Sequence, residues 1–166
     1  MPYLPMSLRL DTARLTLRPW TESDVDAHRE LVAERGDDMP SIEHNRRMIE
    51  DQRAALALTG IALLAVIRRD VGDFIGYCGL IVGRASADEP EIAYELFRSV
   101  HGQGFATEAA SAVLDAATAT GRQRLWATVR PANAPSLRVL DKLGFERDRV
   151  ATDDRGEFVW LTRSLP

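Results

Sequence analysis

Val100-His-Gly-Gln-Gly-Phe-Ala-Thr-Glu-Ala-Ala110 sets two glycines directly before an alanine-rich run. A helix leaves its first four N–H groups without intrahelical partners, and its N-terminus carries partial positive charge. Gly102 and Gly104 keep side chains off the approach to those amides, which suits a phosphate or pyrophosphate. Several readings compete for such a loop. A P-loop needs Gly-Lys-Ser/Thr where Gln103-Gly104-Phe105 stand. A dinucleotide fingerprint needs a third glycine or alanine where Thr107 stands, and an acid near the end of the next strand, where Arg130 sits. A coenzyme A pyrophosphate loop meets neither obstacle, and a glycine-rich connection without any ligand is the plain alternative.

Two further stretches bear on that choice. Glu91-Ile-Ala-Tyr-Glu-Leu-Phe97, directly upstream, brings Glu91 and Tyr94 to a strand beside the loop. Downstream, Arg130-Pro-Ala-Asn-Ala-Pro-Ser136 ends a strand and starts a short helix that closes at Lys142-Leu-Gly-Phe145. Asn133 and Ser136, read one at a time, are equally well explained as helix caps.

The elements that must position these residues follow from periodicity. Leu8 to Leu17 alternates with one slip, as an opening strand or two short ones. Thr21 to Val32 reads as a helix capped by Thr21 or Ser23, with Val25, His28, Leu31 and Val32 along one face. Ile42 to Thr59 reads as a second helix stopped at Gly60. Strands follow around residues 61–69, 73–83 and 91–97, then a helix over 105–120 closed by Gly121. A strand at 124–130, a helix over 134–143 with Pro135 in its first turn, and a hairpin turning at Asp153–Gly156 complete the chain. The order is β-α-α-β-β-β-α-β-α-β-β, an α+β domain. Its central sheet of about six to seven strands is mostly antiparallel and is flanked by about four helices. The helical crossover at 105–120 favours parallel pairing, or a local splay, between its two flanking strands.

The 166 residues fit a single domain, with residues 1–7 an irregular surface segment. Apolar residues make up 45% and charged residues 28%, as in a globular protein. A formal charge of −4, spread along the chain, argues against nucleic acid as a partner. Cys78 is the only cysteine, so the chain holds no internal disulfide and no Cys/His zinc cluster; it reads as a buried inert thiol. The apolar run Ile61 to Ile67 is too short to span a membrane, and no signal-peptide pattern opens the sequence, so the cytoplasm is the expected location.

Taken together, Glu91-Ile-Ala-Tyr94, Gly102 to Ala109 and Asn133-Ala-Pro-Ser136 through Gly144-Phe145 resemble the GNAT family of N-acetyltransferases. Within it, they resemble the branch of ribosomal-protein N-terminal alanine and serine acetyltransferases. Arg14 to Asp24 is similar to the usual start of that branch, and the resemblance runs from about residue 8 to the end.

The resemblance implies an acetyl-CoA-dependent enzyme that moves an acetyl group to a primary amine by direct attack, without a metal. The acceptor it implies is a protein N-terminus or a small molecule. It implies that His101, Gly102, Gln103, Gly104, Phe105, Ala106 and Thr107 hold the pyrophosphate. Glu95, Leu96 and Phe97, with Val100 at the loop entrance, would pair with the pantetheine arm as an added strand does. Asn133 would hydrogen-bond that arm, and Ser136 would give a proton to the leaving thiolate. Glu91 is the first candidate for the general base and Glu157, on the closing hairpin, the second, each against the alternative of a solvated strand glutamate. Tyr94 would shape the acceptor pocket.

Departures from the branch are His101, where tryptophan is common, and Gln103, where a basic residue is common; Arg138 and Lys142 would supply the missing phosphate contact. His28 and His44 are expected on the surface. Acids at 37, 38, 43, 50, 51, 153 and 154 would suit a cationic acceptor. The resemblance allows a homodimer. The rival reading is a non-catalytic acyl-CoA-binding or sensor module of the same fold.

Overall fold

The computed structural model describes residues 3–36 and 38–166. Two short strands open the chain, β1 (Leu10–Asp11) and β2 (Leu15–Arg18), where the alternation slips. Helices α1 (Val25–Ala33) and α2 (Ile42–Thr59) follow, then strands β3 (Leu63–Arg68), β4 (Phe74–Ile81) and β5 (Glu91–Leu96). Helix α3 (Phe105–Ala119), strand β6 (Arg124–Val129), helix α4 (Ala134–Lys142) and the hairpin β7 (Glu146–Asp153) and β8 (Gly156–Ser164) complete it. The sheet has 8 strands in the order β1-β2-β3-β4-β5-β6-β8-β7, more than the six to seven expected, because the opening segment forms a hairpin of its own.

Local chemistry sets the helix ends. Thr21 N–H donates to the Asp24 carboxylate at 2.8 Å, and Arg18 grips both oxygens of that carboxylate at 2.8 and 2.9 Å. Ser41 Oγ accepts from the His44 amide at 3.1 Å to open α2, which Gly60 ends in the left-handed conformation.

The main core lies between the sheet and helices α3 and α4, from Leu15, Leu64 and Ile75 across to Val113, Leu125 and Leu140. Alanines at 109, 110, 116 and 117 are buried, and their small side chains let α3 lie close to the strands. Burying Val113 and Leu114 adds about 1.5–3 kcal/mol each. A smaller cluster of Trp20, Val25, Ile49 and Ala65 packs α1 and α2 on the opposite face.

The N-terminal segment is irregular, but it is not a loose surface strand. Met6 is buried, its amide donates to Gly60 O at 2.9 Å, and Leu4 N donates to Thr120 O at 3.0 Å. Cys78 is fully buried, which pushes its thiol up and keeps it protonated. Among the described residues, no helix is long and apolar enough to cross a membrane, and no group of three or more His, Cys, Asp or Glu is placed to hold a metal ion.

Candidate active site

Seven strand pairings hold the sheet, and β5–β6 is the parallel one, as the crossover through α3 requires. It consists of a single register pair, Glu91 with Trp126, anchored by Trp126 N donating to Pro90 O at 2.9 Å. Beyond that pair the strands part. Phe97 N donates to Ile75 O at 2.9 Å, on the β4 side. Alternation along an antiparallel pair therefore turns the peptide groups of Phe97 and Glu95 toward β4, and those of Tyr94 and Leu96 toward the gap. The open edge thus belongs to Tyr94 and Leu96. This corrects the expected set, because the backbone of Glu95 and Phe97 is committed to the neighbouring strand.

A cavity of about 470 Å³ fills this gap. On one side it is lined by Tyr94 and Leu96, and on the other by Asn133 and Ser136 at the start of α4. Asn133 Oδ1 accepts from the Ser136 amide at 3.3 Å, so this asparagine is a cap as well as a cleft residue. Tyr94 O–H donates to Ser136 O at 3.2 Å across the gap. Burial pushes the Tyr94 phenol up, so it stays protonated and holds that bond.

The glycine loop closes the far end. Gly102 and Gly104 have φ of +79° and +83°, a conformation that L side chains rarely adopt. Gly104 is the N-cap of α3 and provides no side-chain cap. The first-turn residues Phe105, Ala106 and Thr107 line the cavity along with Val100, His101 and both glycines. Uncapped amides, open space above Gly102, and Arg98, Arg138 and Lys142 among the lining residues fit a phosphate-bearing ligand. Gln103 does not line the cavity; its carbonyl accepts from Arg14 Nη1 at 2.9 Å. Phe97 also stays outside the lining. His101 lines the cavity but turns its ring to the open edge, where Nε2 lies 2.9 Å from Leu96 O.

The two carboxylates singled out in the sequence do not enter the cleft. Glu91 is 4% exposed, and its carboxylate accepts from Thr128 Oγ1 at 2.7 Å and from the Arg84 amide, tying β5 to β6 and to the preceding loop. Glu157 is exposed on β8 opposite Thr152. The cavity instead contains Glu95 and Glu34. Glu34 accepts from the Arg98 amide at 2.9 Å. Glu95 is held by Arg35, whose Nε lies 3.0 Å from Oε2, and by Tyr77 O–H at 3.2 Å. The Glu95 hydrogen bonds raise Arg35 further and keep it charged; burial, above all, raises Tyr77 and keeps it protonated. The Glu95 side chain was accessible to sequence reasoning only as every second residue of the strand after Glu91; nothing in the spacing marked its partner Arg35, 60 residues away.

His28 is not a surface residue. It is 2% exposed, edge-on to Trp20 at 4.8 Å, with Nδ1 2.6 Å from Asn45 Oδ1. Burial lowers its pKa and favours the neutral ring. His44 is exposed, as expected. Of the acids expected on the acceptor side, Asp37 lies outside the described residues. Asp153 is bound by Arg130 and Arg84 at 2.8 Å, and Arg130 chiefly holds its carboxyl at about 2. None of the described members of that set lines the cavity.

An open strand edge thus faces the start of one helix, next to a glycine loop that leaves the start of another uncapped. The profile of the acetyltransferase (GNAT) domain matches residues 14–146, and the chain belongs to that family. It is 28% identical over 148 residues to the uncharacterized N-acetyltransferase p20 of Bacillus licheniformis, covering 88% of this chain and 80% of the relative. It is 32% identical over 149 residues to the uncharacterized N-acetyltransferase YoaA of Bacillus subtilis, covering 85% and 84%. The structure of yncA from Salmonella typhimurium, solved with its cofactor acetyl-CoA, shares the fold with a TM-score of 0.75 at 18% identity, over 92% of this chain and 95% of that one.

Proposed function

We propose that residues 1–166 act as one domain that transfers an acetyl group from acetyl-CoA to a primary amine, on a protein N-terminus or a small molecule, by direct attack. The observation that carries this reading is the meeting, in one cavity, of the uncapped α3 N-terminus and the open edge of β5. The acetyl-CoA in the yncA structure is in keeping with it.

Bound acetyl-CoA would supply an activated thioester carbon. The amides of Phe105 to Thr107 would hold its pyrophosphate, with Arg98, Arg138 and Lys142 offsetting the charge. The peptide groups of Tyr94 and Leu96 would pair with its amide-bearing arm. The Ser136 hydroxyl, on a backbone held at its amide by the Asn133 cap and at its carbonyl by Tyr94, would protonate the departing thiolate. Cys78 is buried as a neutral thiol, which disfavours an acetyl-cysteine route.

Release of free thiol from acetyl-CoA on addition of amines tests this reading. Turnover is expected with at least one primary amine; a protein that bound acetyl-CoA yet turned over with none would be the non-catalytic module.

A further inference from the structure

We infer that Glu95 is the carboxylate that receives the acceptor's ammonium group and takes its proton, and that Arg35 is the resident counter-ion the acceptor displaces. This rests on the reading of the cleft as an acetyl-transfer site.

Among the described residues, the cleft offers two carboxylates, Glu34 and Glu95. Glu34 is committed to the backbone amide of Arg98, and the Arg98 guanidinium donates to Glu34 O at 2.7 Å, which locks that corner. Glu95 stands between Tyr94 and Leu96, the two residues of the open edge, and by alternation projects from the other face of the strand, where its carboxylate meets Tyr77 and Arg35 and lines the same cavity. Its side chain is 25% exposed and Arg35's is 46% exposed. Arg35 grips both oxygens of Glu95, but its guanidinium is half open to water, so an incoming ammonium can reach the pair and compete for the carboxylate. Tyr77 O–H also donates to Glu95, so the carboxylate keeps one fixed partner when Arg35 leaves. Tyr77 is itself packed against both Trp20 and His28, at ring distances of 6.1 and 5.9 Å. Arg35 lies in the turn after α1 beside Gly36, on no regular element, and can swing without disturbing a helix or strand.

The resulting step balances. An ammonium R–NH3+ replaces the guanidinium on Glu95 and loses one proton to that carboxylate, directly or through one water. The freed lone pair forms the N–C bond with the thioester carbon. The C–S bond breaks with its electron pair on sulfur, and the thiolate takes a proton from Ser136. The second nitrogen proton, lost as the amide forms, returns through solvent to the Ser136 oxygen. Glu95 then gives its proton to solvent.

The test compares Glu95→Gln and Arg35→Ala with the unaltered protein, using n-butylamine, glycinamide and an alanyl peptide amide as acceptors. Acetyl-CoA affinity is measured by calorimetry. Glu95→Gln is expected to lower kcat about 100-fold, with acetyl-CoA affinity changed by less than about threefold. Arg35→Ala is expected to lower KM for the amine roughly fivefold with kcat retained. Opposite effects from the two partners of one ion pair would not arise if the pair only held the fold together. Equal impairment by both variants would overturn the assignment, as would Glu95→Gln at near-normal kcat. An unaltered protein that bound acetyl-CoA yet acetylated none of the three amines would also overturn it. Failure to bind acetyl-CoA would instead bring down the underlying functional reading, and this assignment with it.

Discussion

Arg14 donates to the backbone carbonyl of Gln103 at 2.9 Å, so the first hairpin fixes the loop that opens α3. The same guanidinium donates to Glu108 at 2.8 Å and lies 4.2 Å over the Phe105 ring. Glu108 also accepts from Thr12 at 2.5 Å and from the Arg14 amide at 2.9 Å. The loop is thus held from outside while its amides stay open to the cavity.

Arg14→Ala should therefore weaken acetyl-CoA binding without touching the ligand. A loss of about 1 kcal/mol, roughly fivefold in affinity, is expected in a calorimetric titration. Burial alone would raise Glu108, but the bonds from Thr12 and Arg14 outweigh it and lower its pKa. That stabilisation is complete above the ordinary value of 4.5 and is lost as pH falls through the lower folded value.

The two loop glycines should differ in sensitivity. A Cβ on Gly102 meets nothing within 4 Å, so Gly102→Ala incurs only the left-handed backbone cost of about 1–2 kcal/mol. A Cβ on Gly104 comes within 3.3 Å of Arg14 Nη2, and a valine there would crowd the first-turn amides as well. Gly104→Val should abolish acetyl-CoA binding in a protein whose circular dichroism remains native, whereas Gly102→Ala should retain measurable affinity.

Ser136→Ala should lower kcat about 100-fold and leave acetyl-CoA affinity nearly unchanged, because only the protonation of the leaving thiolate is removed. Equal loss in both quantities would assign Ser136 to binding instead.

The imidazole of His101 occupies the Leu96 carbonyl that an incoming amide would use. His101→Ala frees this acceptor, and affinity for acetyl-CoA should rise roughly fivefold, the value of about one hydrogen bond. A fall in affinity would show that the ring itself contacts the ligand.

Buried His28 should remain neutral to a lower pH than its ordinary value of 6.5, with the proton on Nδ1 shared with Asn45. Its folded pKa is lowered, so its contribution is intact above about 6.5 and is lost as pH falls toward the folded value, where the unfolded chain binds the extra proton. A nitrogen-detected NMR titration of the three histidines reads this directly.

Much of the cleft was legible because backbone chemistry marks it. Glycines before Phe105, an uncapped alanine-rich start and Gly121 past the end locate α3 closely, and Asn133 with Pro135 locates α4. What the sequence did not disclose depends on direction and distance. Strand alternation tells which side chains share a face, but which peptide groups point into the gap depends on the register of β5 against β4. Glu91 resembled a cleft acid until its hydrogen bonds to Thr128 and Arg84 showed it stitching strands together. His28 read as a surface residue because its partner Asn45 is on the next helix. Arg35 gave no signal, since its bond to Glu95 is made entirely by tertiary packing.

The central claim is that the amides at the start of α3 are a coenzyme A cradle. Isothermal titration of the unaltered protein with acetyl-CoA, and with ATP and NAD as competitors, tests it most directly. Selective binding of acetyl-CoA is the predicted result. Tighter binding of ATP or NAD, or binding of none of the three, would contradict it.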